Sequence, residues 1–222
     1  MAEYNNLVKA NALLIDTAID GTKEQIMKQL AADAAKLLDD TLLAKALAGG
    51  TAYFAAGTSH RSNIISASSA TVSDVRRAVR LLELSSVPRF PDGYYIGLVH
   101  PDIAYDLKSD STWLDLSKYR DTVKYDIKGE IGSLHGVRFV QCPSIPVLAN
   151  SGSASVDVYR TIIMGRDFLG ESELGNLDVV INEPGKASEL GRYNTYGYNF
   201  IMATEVLSNQ RAIRMESAST FD

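Results

Sequence analysis

An α+β fold with a mixed or mostly antiparallel sheet is predicted for this chain. Three features predict it: a long stretch of helical periodicity between Thr22 and Ala48, a shorter one opening at Thr71, and apolar runs bounded by glycine and proline that end in an alternating tract from Gly191 to Met215. At 222 residues the chain can bury a real core, as one large domain or two small ones. Hydrophobic residues at 45% and charged residues at 22% stand near the globular norm, which excludes a disordered or fibrous chain.

Taken in order, the run from Leu7 to Ile15, closed by Asp16 and Asp20, reads equally as a short strand or an entry helix. Thr22 and Gln25 form a T-x-x-Q capping box. Ile26, Leu30, Ala34, Leu37, Leu38 and Leu42 then recur at helical spacing until Gly49-Gly50 stops the helix. A helix from Lys23 to Ala48 is roughly 39 Å long and suits a spine. Thr51 to Ala70 is predicted as a loop with a short strand at Ile64-Ile65. Thr71 and Asp74 open a second helix with Val75, Ala78, Val79 and Leu82 on its apolar face; Arg76, Arg77 and Arg80, with Glu83, make a solvated face.

Pro91-Asp92-Gly93 is a turn, Tyr94 to Val99 a buried strand, and His100-Pro101-Asp102 a helix start. Asp110 to Asp126 is polar and aromatic, with Trp113, Tyr119 and Tyr125, and predicts a long surface excursion. Val137 to Cys142 is a strand ended by Pro143 and Pro146; Asn150 to Ser155 is a loop, and Val156 to Met164 another strand. Residues 191–215 read as strand, turn and strand, with Ser208-Asn209-Gln210 as the turn.

Chemistry is sparse by comparison. The net charge is −5, with no basic stripe of the kind tight nucleic-acid binding needs. Cys142 is the sole cysteine, which excludes an intramolecular disulfide and a cysteine-rich metal site and is expected to be a small buried residue. No run is apolar enough to span a bilayer, and no secretion signal opens the chain. His60, His100 and His135 lack the spacing of metal ligands. Neither a G-x-S-x-G elbow nor a glycine-rich phosphate loop occurs. His100 with Asp102, Asp39 with Asp40, and Asp102 with Asp106 are pairs that general acid–base work could use, but helix capping and solvated surface account for them more simply. Tyr196, Tyr198 and Phe200 share one strand face and suit packing against a helix or a neighbouring subunit. No catalytic, cofactor-binding or metal-binding residue is therefore expected.

The order of these parts resembles tailed-phage major capsid proteins of the Hong Kong 97 fold, and within them the N-four-type capsid family. The resemblance rests on the long helix ending at Gly49-Gly50, on Tyr95 to Pro101 with Asp106-Leu107 and Trp113, and on Gly129-Glu130-Ile131-Gly132 followed by Gly136 to Val140. Tyr159 to Gly165 with Asp167, and Leu190 to Glu216, complete it. It implies a peripheral domain from residues 1–50 and 178–222, made of a spine helix with the C-terminal strands beside it, and an axial domain from residues 51–177. It also implies a structural role without catalysis or cofactor: pentamers and hexamers of this chain closing into an icosahedral shell around double-stranded DNA, without sequence-specific binding. Scaffold, portal and decoration proteins would be further partners. The implied location is the virion, after assembly in the host cytoplasm, with no membrane involved.

Family members carry an N-terminal arm and an extended hairpin ahead of the spine helix. Residues 1–21 are all that precede it here. Both parts are expected to be missing, whether removed, never part of this chain or reduced in this protein, which puts the usual clasp between subunits in doubt. An encapsulin-like compartment shell of the same fold is the alternative, and a small hydrolase or binding domain the more distant one.

Overall fold

The computed structural model describes residues 2–11, 21–118, 129–173, 178–182 and 193–221. The chain divides into two compact units, Met1–Ala44 with Gly170–Glu205, and Lys45–Leu169 with Val206–Asp222.

In the first unit, β1 (Ala2–Asn11), β7 (Leu169–Glu173), β8 (Asp178–Asn182) and β9 (Tyr193–Val206) form a four-stranded sheet. β9 is central. It pairs antiparallel with β1 from Asn11↔Tyr193 to Ala2↔Met202, and with β8 from Asn182↔Thr195 to Asp178↔Asn199. Alternation of side chains along β9 puts Tyr196, Tyr198, Phe200 and Met202 on one buried face. That face packs on Leu30 and Ala34 of α1 (Thr22–Ala48), flanked by Ile26, Met27, Leu37, Leu38 and Leu42. The helical stripe and the aromatic strand face foreseen in the sequence are thus each other's partners. Tyr4 stacks on Phe200 at 5.3 Å, and Tyr198 lies 6.0 Å from the same ring. The ambiguous run at residues 7–19 is strand as far as Asn11; the rest lies outside the described residues.

α1 runs over 27 residues, about 40 Å. It starts one turn position earlier than the capping box implied. Gln25 N–H donates to the Gly21 carbonyl at 2.9 Å, so Gly21 takes the cap position and Thr22 is already helical. The stop is as expected: Gly49 N–H closes on Lys45 O, and Gly50 turns left-handed at φ +78°, which favours glycine.

The second unit is built on a six-stranded mixed sheet. Its strands are β2 (Thr51–Phe54), β3 (Tyr95–Val99), β4 (Glu130–Leu134), β5 (Val137–Gln141), β6 (Tyr159–Met164) and β10 (Ala212–Ser217), in the order β2-β10-β6-β3-β5-β4. β2 runs parallel to β10 and β3 parallel to β5; the other pairings are antiparallel. β4 and β5 meet in a tight hairpin at His135-Gly136, where both residues have positive φ, as the turn twist of such hairpins requires.

α2 (Val72–Leu84) covers one sheet face. It opens at Thr71 and Asp74 as expected, through a reciprocal cap: Thr71 Oγ1 accepts from Asp74 N–H, and the Asp74 carboxylate accepts from Thr71 N–H. Val75, Ala78, Val79 and Leu82 enter the core with Tyr95, Phe139, Ile163 and Met215, and Arg76, Arg77 and Arg80 stay exposed. α3 (Pro101–Ser109) adds Ile103, Ala104 and Leu107 to the same core.

Three expectations change. Asp110–Asp126 is not all surface loop: Ser111–Lys118 forms α4, and Trp113 is only 8% exposed, packed 5.9 Å from the Phe139 ring. Gly132 makes this possible, because a Cβ there would stand 3.1 Å from Trp113 Cζ2. Tyr119 and Tyr125 lie outside the described residues. Ile64-Ile65 is not a strand; Ile64 follows a single turn at Arg61–Asn63 and is buried on Val158 and Ala218. Cys142 is half-buried rather than buried. The strands on either side of Ser208-Asn209-Gln210 do not pair with each other: β10 joins the second unit's sheet, where Ile213 and Met215 are buried.

Candidate functional site

The residues weighed for acid–base chemistry are occupied structurally. His100 caps α3, its Nδ1 accepting from Asp102 N–H at 3.3 Å, as the simpler reading had it. Asp106 is buried and accepts from the backbone N–H of Thr220 at 3.1 Å and from the Thr220 hydroxyl. Asp39 and Asp40 are exposed on α1. His60 and His135 are exposed in separate turns. Partial desolvation by its neighbours, and then the Arg76 charge, still push the His135 imidazole pKa down. Among the described residues no cluster of three or more His, Cys, Asp or Glu side chains is placed to hold a metal ion. No described helix is long and apolar enough to cross a membrane.

Two polar arrangements went unforeseen. In the first unit, Asp33 on α1 receives Asn6 Nδ2 at 2.7 Å and the Tyr198 hydroxyl at 2.8 Å, tying helix to β1 and β9. These two bonds hold its carboxyl below the usual carboxylate range. Tyr198→Phe removes one donor, so the Asp33 midpoint is expected to rise towards the ordinary aspartate value in a carboxyl-carbon NMR titration. An unmoved midpoint would show that the bond does not form.

In the second unit, Glu216 is fully buried on β10. Arg61 grips it bidentately, Nε to Oε2 and Nη2 to Oε1, both at 2.6 Å, and Arg214 Nε adds a third bond at 3.0 Å. Burial pushes the Glu216 carboxyl up, but the Arg61 bonds and the two guanidinium charges outweigh it and leave it below the usual range. Arg214 Nη1 also reaches the carbonyls of Leu47, Ala48 and Gly49 at 2.9, 3.2 and 3.3 Å, neutralising the negative end of α1. One buried carboxylate on an interior strand therefore ties together a turn, that strand and the end of the spine helix.

Apolar surface is also left open. Val179, Val180 and Ile181 of β8 and Leu7 of β1 are each about half-exposed. Beside them, Met27, Leu30, Ala31 and Ala34 of α1 line a cavity of about 320 Å³ with Val179 and Tyr198.

No protein-family model and no curated protein matches the sequence. Solved structures do match. The subunit of the cyanophage Pam1 capsid aligns at a TM-score of 0.82 and 15% identity, over 100% of this chain and 75% of that one. The capsid of Ralstonia phage GP4 aligns at 0.80 and 13%, over 98% and 73%. The holo-SrpI encapsulin complex from Synechococcus elongatus aligns at 0.69 and 11%, over 100% and 75%. Identities this low carry the fold alone, and they carry it from end to end: the chain has the α+β fold of phage capsid subunits of the Hong Kong 97 type.

Proposed function

We propose that this chain is a major capsid protein, a structural subunit that closes with copies of itself, as pentamers and hexamers, into an icosahedral shell around double-stranded DNA. The observation that carries this is the match over the whole chain to the cyanophage capsid subunit. The four-stranded unit takes the peripheral role and the six-stranded unit the axial one. Half-exposed aliphatic side chains on β8 and β1 fit a surface that a neighbouring copy covers. Membership of the N-four-type family belongs to the same proposal, on the glycine-bounded segments quoted above. So do the virion as its location, assembly in the host cytoplasm, and scaffold, portal and decoration proteins as partners. A net charge of −5 suits enclosing DNA without gripping it. The role is architectural, not catalytic.

Electron microscopy of the purified protein tests this. Uniform closed particles, or rings of five and six, are expected; a monomer at all concentrations up to tens of micromolar would refute it. The encapsulin match favours a second reading, a compartment shell with protein cargo. Particles purified from the producing cells separate the two, since nucleic acid marks the first and a co-purifying protein the second.

A further inference from the structure

We propose that Arg61, Arg160 and Arg214, arranged around Glu216, form a binding site for a dianionic phosphate group. The sheet register creates the cluster. Arg160 on β6 stands directly opposite Glu216 on β10, and Arg214, two residues before Glu216, shares its face. Arg61 arrives from the turn at Arg61–Asn63.

The charges do not balance. Three guanidiniums surround one carboxylate, leaving +2, and a guanidinium cannot shed its proton at accessible pH. Glu216 accepts hydrogen bonds from Arg61 and Arg214. Arg160 instead donates through Nη2 to the Pro146 carbonyl at 3.2 Å, and its Nε is buried with no partner among the described residues. Burial first, and then the Arg214 charge, lower the proton affinity of Arg160; Glu216 pulls the other way, and Arg61 adds a smaller lowering. The carboxylate lies at the buried bottom, and the three arginines are all partly open to solvent.

The cluster therefore carries more positive charge than its one carboxylate balances. A phosphate monoester or free phosphate carries about −1.5 to −2 near neutral pH and accepts several N–H bonds from arginine forks. It matches the residual charge, whereas one carboxylate would leave about half of it. This inference does not depend on the shell role.

The test titrates the purified full chain with inorganic phosphate, with sodium chloride holding ionic strength constant. Arginine side-chain nitrogen NMR is expected to show saturable shifts at Arg61, Arg160 and Arg214, and calorimetry to show one site per chain. Arg160→Gln should weaken binding by about tenfold or more, as loss of a charged fork implies, and circular dichroism would confirm that it folds. Arg160→Lys, which keeps the charge without the fork, should fall between. A parallel titration with a nucleoside monophosphate distinguishes a nucleotide's terminal phosphate from the free ion; saturation by either supports the site. The proposal is overturned if neither shifts the three arginines, if acetate binds as tightly, or if Arg160→Gln leaves affinity unchanged. Shell formation is read separately by microscopy, so failure here leaves that reading intact.

Discussion

Replacing Glu216 by glutamine is expected to cost roughly 2–4 kcal/mol of folding stability. The side chain is 0% exposed and holds two arginines. Glutamine keeps the shape but removes the only negative charge in the cluster, leaving three guanidiniums to repel one another. The value is set below that of a fully buried pair because the Arg61 side chain is 39% exposed and water screens it. The damage should spread, since Arg214 would lose the partner that aims it at the carbonyls of Leu47, Ala48 and Gly49. Urea unfolding followed by circular dichroism measures the loss, and a change under 0.5 kcal/mol would mean the bidentate bond is not formed.

The same bond gives a pH dependence with a definite sign. The folded-state pKa of Glu216 is below its unfolded value. Its contribution is therefore fully present above the ordinary glutamate range, near pH 4.3, and is lost as pH falls through the lower folded value. Wild-type stability should fall more steeply than that of Glu216→Gln in this acid window.

Trp113→Ala is expected to cost about 3–5 kcal/mol, the range for emptying a large aromatic site in a core. Trp113 fills the space that Gly132 leaves open and lies against Phe139. Its helix is anchored at its start by Asp110, whose carboxylate accepts from Thr112 N–H at 2.8 Å and from Val72 N–H, at the start of α2, at 3.3 Å. Losing the indole should therefore loosen the packing of α4 against β4 and β5. Trp113 is the sole tryptophan, so wild-type emission should be blue-shifted and move to the red on unfolding. Solvent-like emission from the folded protein, with a loss under 1 kcal/mol in the variant, would put the ring outside the core.

What the sequence made legible was local. The α1 stripe, its Gly49-Gly50 stop, the Thr71–Asp74 cap and the strand at Tyr95–Val99 each carry their own signal within a few residues. What it hid was long-range. Trp113 sits in a polar stretch, and only Gly132, on β4, reveals the hole it fills. Glu216 and Arg61 are 155 positions apart. An arginine and a glutamate alternating with Ile213 and Met215 read as the wet side of a strand, when one of them is fully buried. β9 and β10 share the same two-residue period, and a period does not say which sheet a strand will join. The start of α1 was misplaced by one residue because a threonine and a glycine stood side by side and either could cap.

The position of β10 sets an order of events during synthesis. It lies between β2 and β6, yet it is translated after every other strand of that sheet. Until it emerges from the ribosome, β2 has no partner in the sheet and the end of the long helix lacks its arginine. A nascent chain therefore holds an open seam in this sheet until Ala212–Ser217 has been made.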